Sequence, residues 1–99
     1  MKLRIVEECW GINRRTGERS TRQTDEKLIN AAVETVIEMP IGRRKFHIDD
    51  VSENSITVTV VYENNPDANK TYEIIKGESA VYKPMSRDGG YKYILSYED

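Results

Sequence analysis

Two residues with the chemistry of a catalytic pair lie two positions apart in residues 43–51. His47 and Asp49 alternate with the apolar Phe46 and Ile48, so we expect a strand that carries both polar side chains on one face. An imidazole beside a carboxylate can act as a general base with its orienting group. No nucleophile accompanies the pair at a recognised spacing. A small enzyme that uses His47 and Asp49 in a sheet-lined pocket is therefore kept as an alternative hypothesis.

A second group of residues is suited to binding anions. Residues 11–23 are poor in apolar side chains and rich in arginine, and a tryptophan directly precedes them. Guanidinium groups donate forked hydrogen bonds to phosphate and carboxylate, and an indole ring can stack on a nucleic-acid base. The predicted ligand-binding residues are Trp10, Arg14, Arg15, Arg19 and Arg22. The competing interpretation is a solvated loop whose arginines pair with nearby carboxylates.

A further basic run consists of Arg43, Arg44 and Lys45, and the sequence leaves open whether it joins residues 11–23 in one patch. Metal and cofactor sites find less support. Cys9 is the only cysteine, so the chain has neither an intramolecular disulfide nor a cysteine-based zinc site. The carboxylates of residues 49–53 lack a recognised metal-ligand spacing. We therefore predict no metal and no cofactor.

One segment has the periodicity of an amphipathic helix. Its apolar residues recur at i, i+4 in two adjacent rows, which are Leu28, Ala32, Val36 and Ile29, Val33, Ile37. Thr24 is a suitable N-cap, and Pro40 and Gly42 are stop signals. The pattern predicts one helix over residues 24–39 that packs its apolar stripe against a sheet.

Residues 3–9 and the chain after Gly42 have the character of strands. Apolar residues alternate with polar ones over residues 56–62, and turn-forming residues separate the later apolar stretches. Gly77 and the pair Asp88–Gly89 predict hairpin turns between antiparallel strands. The predicted fold class is α+β, with a single amphipathic helix packed on a curved antiparallel sheet of about five to six strands in the order β-α-β-β-β-β-β. We expect residues 1–99 to form a single domain.

Composition limits the classes of function. The net charge of −2 over 99 residues argues against wholesale binding to nucleic acid or membranes. No apolar stretch is long enough to span a membrane and no secretory signal is recognisable, so we expect a cytoplasmic protein. We predict a non-enzymatic binding or interaction domain with a protein partner. Nucleic-acid or anion binding through residues 11–23 is the alternative.

The same pattern allows a homodimer. A sheet with open edges and with Tyr91, Tyr93 and Tyr97 on one face could cover those edges by pairing with a second copy.

Overall fold

The computed structural model describes residues 1–84 and 86–99. These residues form eight strands, which pair in antiparallel orientation in two four-stranded sheets. Their bounds are β1 Lys2–Ile12, β2 Arg19–Asn30, β3 Val36–Met39, β4 Arg44–Val51, β5 Ser55–Val61, β6 Lys70–Ile75, β7 Ser79–Tyr82 and β8 Gly89–Glu98. Sheet A has the strand order β2-β1-β8-β7, and sheet B has the order β3-β4-β5-β6. The chain passes between the sheets at residues 31–35 and 76–78, and a short 3-10 turn, Pro66–Ala68, precedes β6.

The core lies between the two sheets and follows from the two-residue period of the strands. Every second side chain of the central strands points inward and is buried. The inward residues of sheet A are Leu3, Ile5, Tyr82, Tyr93, Leu95 and Tyr97, and those of sheet B are Ile37, Met39, Phe46, Ile48, Ile56, Val58, Val60 and Ile74. Phe46 and Tyr93 join the sheets by an edge-to-face contact with ring centroids 5.3 Å apart. The core between the sheets is therefore filled with side chains.

The prediction of an α+β fold is wrong, because residues 24–39 form no helix. Residues 24–30 belong to β2 and residues 36–39 form β3. Of the predicted apolar stripe, Leu28, Val33 and Val36 are 43%, 48% and 54% exposed. β-branched residues are dense in this segment and favour strands over helices. The apolar residues of the two rows are divided among the end of β2, the connection at residues 31–35 and β3.

The long loop predicted for residues 11–23 is also absent, since β1 and β2 form one extended hairpin. The strands pair from Lys2 with Asn30 to Ile12 with Arg19, and residues 13–18 connect them. Gly17 adopts a φ of 75° in this turn, and its N–H donates to the Asn13 carbonyl at 2.7 Å. Glycine adopts this left-handed conformation without the steric cost that a side chain would add. The end of the hairpin is polar because sheet B does not cover it.

Two further predicted turns are corrected in part. β7 pairs with β8 in antiparallel orientation, as predicted, but β8 already begins at Gly89, so Asp88–Gly89 is not a tight turn. Gly77 does lie in a turn, with a φ of 86°. The turn leads from sheet B to sheet A rather than joining two paired strands. The described part of the chain contains no helix long and apolar enough to cross a membrane.

Candidate functional site

The arginines predicted to bind a ligand diverge from one another. Arg14 and Arg15 lie at the tip of the β1–β2 hairpin, where Arg14 forms an ion pair with Asp88. Arg19 and Arg22 lie on β2, three residues apart. Arg19 pairs with Ile12 and Arg22 pairs with Cys9, and residues separated by an odd number of positions on a regular strand face opposite sides. The four side chains therefore do not form one surface.

Trp10 is buried rather than displayed for stacking. Its side chain is 7% exposed and lies on the outer face of sheet A. The Lys83 ammonium lies 4.3 Å and the Arg19 guanidinium 6.0 Å from the centroid of a Trp10 ring. Such cations are attracted to the ring face, and they cover the surface that a base would need. The predicted stacking residue therefore has a packing role in this conformation.

The second basic run lies beside an open cleft. This cleft has a volume of about 250 Å³ and lies between the β3–β4 turn and the segment that follows β5. We call it the arginine cleft, and its lining consists of Arg43, Arg44, Lys45, Val61, Tyr62, Glu63, Asn64 and Asn65. Sequence reasoning identified its three basic residues as a second cluster but missed Tyr62 and the two asparagines. The available signal was the end of the apolar alternation at Tyr62, directly before a turn sequence.

The three cations of the arginine cleft have different partners. Lys45 is neutralised by ion pairs with Glu63 and, at 3.5 Å, with Glu38, and these contacts raise its pKa. Arg44 lies over the Tyr62 ring, with its guanidinium carbon 5.0 Å from the ring centroid. Among the described residues, no carboxylate forms an ion pair with Arg43 or Arg44. Two guanidinium groups are thus available to an anion in the cleft.

A buried carboxylate holds the β3–β4 turn in place. Glu7 is fully buried on the inner face of β1, and its Oε2 accepts hydrogen bonds from the Gly42 N–H at 3.0 Å and the Tyr93 hydroxyl at 2.8 Å. The Thr24 hydroxyl donates to Oε1 at 2.6 Å. Burial, together with the hydrogen bond to the neighbouring carboxylate, raises the pKa of Tyr93. The β3–β4 turn, which carries Arg43, joins two strands of sheet B and is held to sheet A by the hydrogen bond to Glu7.

The position of Glu7 also shows how the arginines of residues 11–23 lie relative to the arginine cleft. Cys9 follows Glu7 by two residues on the same face of β1, at about 7 Å along the strand, and Arg22 is paired with Cys9. Arg22 therefore lies on the side of sheet A where Gly42 meets Glu7. β1 continues for about 17 Å beyond Glu7, and Arg15 lies past its end in the hairpin turn. Arg22 thus shares a side with the arginine cleft, and Arg15 is remote from it.

His47 and Asp49 do lie together, on the outer face of sheet B. The His47 Nδ1 hydrogen bonds to Asp49, and its Nε2 lies 3.2 Å from the Glu34 carboxylate. The Thr59 hydroxyl donates to Asp49 and lies 2.9 Å from the Thr71 hydroxyl. Both ring nitrogens therefore contact carboxylates, and neither contacts the hydroxyl that could serve as a nucleophile. The arrangement resembles an ion-pair network more than a catalytic triad.

Neither a metal site nor a similar protein identifies the function of the chain. The described residues contain no cluster of three or more histidine, cysteine, aspartate or glutamate side chains that could hold a metal ion. Cys9 is half-buried and has no disulfide partner. Comparison of the chain with protein-family models, curated proteins and solved structures finds no match. The argument about function therefore rests on the geometry of the arginine cleft.

Proposed function

We propose that the protein is a non-catalytic binding domain that takes an acidic segment of another protein into the arginine cleft. The observation that carries the proposal is the pair Arg43 and Arg44, which line one open cleft and form no ion pair with a described carboxylate. Unpaired guanidinium groups in a shaped cleft beside amide side chains are suited to binding oxyanions.

The chemistry of the cleft favours carboxylate ligands. Each guanidinium can donate two parallel hydrogen bonds to one carboxylate, so two neighbouring acidic residues of a partner match Arg43 and Arg44. Contact with the Tyr62 ring restricts Arg44, which lowers the conformational entropy lost on binding. The side-chain amides of Asn64 and Asn65 provide further donors at the rim.

A protein segment is favoured over nucleic acid as the occupant. The chain carries a net charge of −2, and Glu38 and Glu63 lie beside the basic residues of the cleft. A phosphate backbone would meet these carboxylates along with the arginines, and affinity for nucleic acid depends on a wide field of positive charge. Trp10 is buried and offers no exposed face for stacking on a base.

The backbone conformation of Arg43 provides a way to test its guanidinium group apart from the fold. Arg43 has a φ of 56°, a left-handed conformation that costs a residue with a side chain about 1 kcal/mol relative to glycine. Glycine would adopt the same backbone conformation more easily, so Arg43→Gly removes the guanidinium group without straining the fold.

The experiment is a titration of the ¹⁵N-labelled protein with a deca-glutamate peptide, followed by NMR amide shifts. We expect saturable shifts in residues 42–45 and 61–65, with no such shifts on addition of deca-lysine. Arg43→Gly should weaken the affinity about tenfold, the loss of one charge-assisted contact, without lowering the melting temperature. Arg15→Gln is the matched control, because Arg15 is an exposed arginine remote from the cleft, and it should leave the affinity unchanged.

Other outcomes would contradict the proposal in distinct ways. Equal losses in Arg43→Gly and Arg15→Gln would indicate non-specific attraction to positive charge. Stronger binding of an oligothymidine than of deca-glutamate would favour nucleic acid, and shifts centred on residues 10–22 would move the site to the hairpin. Catalysis through His47 has no such support from the geometry, because both its ring nitrogens contact carboxylates. The cytoplasmic location stays a prediction from the sequence.

A further inference from the structure

One edge of sheet A has no neighbouring strand along the polar end of the β1–β2 hairpin. β2 is the outermost strand of that sheet, and within the described part of the chain no strand pairs with its far side. Residues 19–23 of β2 are all exposed. The unpaired N–H and C=O groups of an edge strand form a template for pairing with another chain.

The hydrogen bonds of the hairpin show which backbone groups of β2 face outward. The Asn13 N–H donates to the Glu18 carbonyl at 2.8 Å, whereas the Ile12 N–H donates to the Asp88 carbonyl at 2.9 Å, on the opposite side of β1. Along an antiparallel pair, opposed residues that exchange hydrogen bonds alternate with opposed residues that do not. By the register of the two strands, the residues at the start of β2 that exchange none with β1 are Arg19, Thr21 and Gln23. Their N–H and C=O groups therefore point away from the sheet.

The other half of the same edge is closed by side chains. The Asp25 Oδ1 accepts the Glu26 N–H at 2.8 Å, and the Lys27 Nζ donates to the Glu38 carbonyl on β3 at 2.7 Å. A strand that arrived here would have to displace both contacts, and charged side chains of this kind discourage pairing at an edge. The open part of the edge therefore lies on the turn side of the β-bulge in β2, at residues 19–23.

This open part of the edge is basic. Residues 19–23 include Arg19 and Arg22 and no acidic residue. Among the described residues, no carboxylate forms an ion pair with either guanidinium group. The two side chains lie on opposite faces of the strand because they are three positions apart. A strand that pairs here would therefore meet one guanidinium group on each of its faces.

We propose that an acidic, extended segment of another protein pairs with residues 19–23 as a fifth, antiparallel strand of sheet A. The backbone of the segment would exchange hydrogen bonds with the outward-facing groups of β2, which is the usual basis of binding by strand addition. Directly opposed residues of neighbouring strands share a face. Carboxylates opposite Arg19 and Arg22 are therefore three positions apart in the segment. The edge selects an extended segment with acidic residues at i and i+3.

A second copy of the chain is a less suitable occupant of this edge. Antiparallel pairing of the edge with itself about Thr21 would bring the arginines of both copies together without an acidic residue between them. Like charges placed against each other across an interface oppose association. Tyr93 and Tyr97, which suggested a homodimer from the sequence, are buried in the core. The charge of the edge therefore favours an acidic partner over a second copy.

The open edge is separate from the arginine cleft, and neither proposal depends on the other. The cleft lies between the β3–β4 turn and the segment that follows β5, whereas the edge belongs to β2. Strand addition also requires an extended segment with free backbone groups. Glutamate has a low β propensity, whereas threonine and valine favour strands. Deca-glutamate therefore tests the cleft, and a peptide rich in threonine and valine tests the edge.

The first experiment uses the peptide acetyl-Thr-Glu-Val-Thr-Glu-Thr-amide, whose two glutamates are three positions apart. Titrated into the ¹⁵N-labelled protein, it should produce saturable amide shifts in residues 19–23, and the same peptide with lysine in place of both glutamates should not. Arg22→Gln removes one charge-assisted contact and should weaken binding about tenfold. Arg15→Gln is the matched control, because Arg15 lies in the hairpin turn outside β2, and it should leave the affinity unchanged.

The second experiment separates backbone pairing from attraction between charges. In the proposed register the valine of the peptide lies opposite Thr21, so its N–H faces β2. The N–H of the threonine that follows the valine faces solvent. N-methylation of the valine should weaken binding at least about tenfold, while N-methylation of that threonine should change the affinity by less than about twofold.

The third experiment changes the edge of the protein itself. Proline is tolerated on an edge strand where the N–H that it removes faces outward, so Thr21→Pro should keep the melting temperature and abolish peptide binding. Leu28→Pro is the matched control. Leu28 lies two positions beyond Glu26, on the closed half of the same edge, and its substitution should leave binding unchanged. If either variant fails to fold, the two methylated peptides test the same contact in the unaltered protein.

Four results would overturn the proposal. The absence of shifts in residues 19–23 at millimolar peptide excludes binding at this edge. Equal weakening by the two N-methyl groups indicates attraction between charges without strand pairing. Shifts confined to residues 42–45 and 61–65 place the peptide in the arginine cleft. Shifts of residues 19–23 that depend on protein concentration without peptide identify a second copy as the occupant.

Discussion

Two polar networks, one buried and one exposed, are each formed at a β-bulge. In each, a strand contains one extra residue relative to its neighbour, and the side chain of that residue joins a carboxylate network. Thr24 interrupts the pairing of β2 with β1, and its hydroxyl donates to Glu7 in the core. Asp49 interrupts the pairing of β4 with β5, and it accepts hydrogen bonds from His47 and Thr59 on the outside.

The two networks contribute differently to stability because one is buried and the other is in contact with solvent. Glu7 is fully buried, and its three donors come from β2, β8 and the β3–β4 turn. Removing it would leave those donors unpaired away from water, which costs far more than the net value of the hydrogen bonds. His47 and its two carboxylates remain in contact with solvent, where water can replace each lost contact. A bulge residue thus joins a network with a large contribution to stability in the core and one with a small contribution on the surface.

The largest expected effect follows from removing the Glu7 carboxylate. Glu7→Ala leaves a cavity and three unpaired donors, so we expect a loss of about 3–5 kcal/mol in the free energy of unfolding. Urea denaturation monitored by Trp10 fluorescence measures this. Glu8→Ala is the adjacent control, because Glu8 forms a partly exposed ion pair with Lys92, and it should cost about 0.5 kcal/mol. Similar losses in the two variants would contradict the contrast between buried and exposed carboxylates.

The next effect concerns Gly42, where the turn touches the buried network. A Cβ at this position would collide with the Tyr93 hydroxyl and lie 2.6 Å from the Glu7 Oε2. Gly42→Ala should therefore cost about 2–3 kcal/mol through overpacking and lost hydrogen bonds.

A double variant separates crowding from a general weakness of the turn. Tyr93→Phe removes the hydroxyl that the new Cβ would meet, so Gly42→Ala should cost at least about 1 kcal/mol less in a Tyr93→Phe background. Strictly additive losses would show that the contact with Tyr93 is not the reason for glycine at this position.

Part of this architecture could be predicted from the sequence. The strands predicted over residues 43–51 and 56–62 correspond to β4 and β5, because apolar residues alternate through most of β4 and all of β5. β2 and β3 were missed because Leu28 on β2, Val36 on β3 and Val33 in the connection between them are exposed apolar residues that completed a false helical stripe. A local pattern does not reveal that residues 19–30 pair with β1, since that pairing depends on a hairpin partner elsewhere in the chain.

The candidate site was less accessible to prediction for a related reason. Arginine density directed attention to residues 11–23, but density does not show which guanidinium groups have partners in the fold. Arg14 pairs with Asp88, a residue 74 positions away, and no sequence pattern indicates that contact. Arg44 meets Tyr62 through the pairing of β4 with β5. The contribution of Glu7 was missed because an acidic residue on a strand is ordinarily taken as exposed.

The smallest expected effect is the pH dependence contributed by the exposed network. Hydrogen bonds to Asp49 and then to Glu34 raise the pKa of His47, because only the protonated ring can donate to both carboxylates. The folded protein therefore binds the proton more tightly than the unfolded chain, whose histidine has a pKa of about 6.5. This stabilisation is fully present below that value and is lost as the pH rises through the higher pKa of the folded state. We expect a decline of about 0.5 kcal/mol.

His47 is the only histidine in the chain, so its contribution can be isolated. Urea denaturation between about pH 5.5 and 8.5 should show the decline in wild type and a flatter profile in His47→Gln. An NMR titration of the imidazole should give a lower pKa in Asp49→Asn than in Glu34→Gln, since the contact with Asp49 has the larger influence. A wild-type pKa at or below that of an unfolded histidine would show that the carboxylates do not hold the ring. In that case the exposed network would contribute nothing to stability, and only the buried one would tie the strands together.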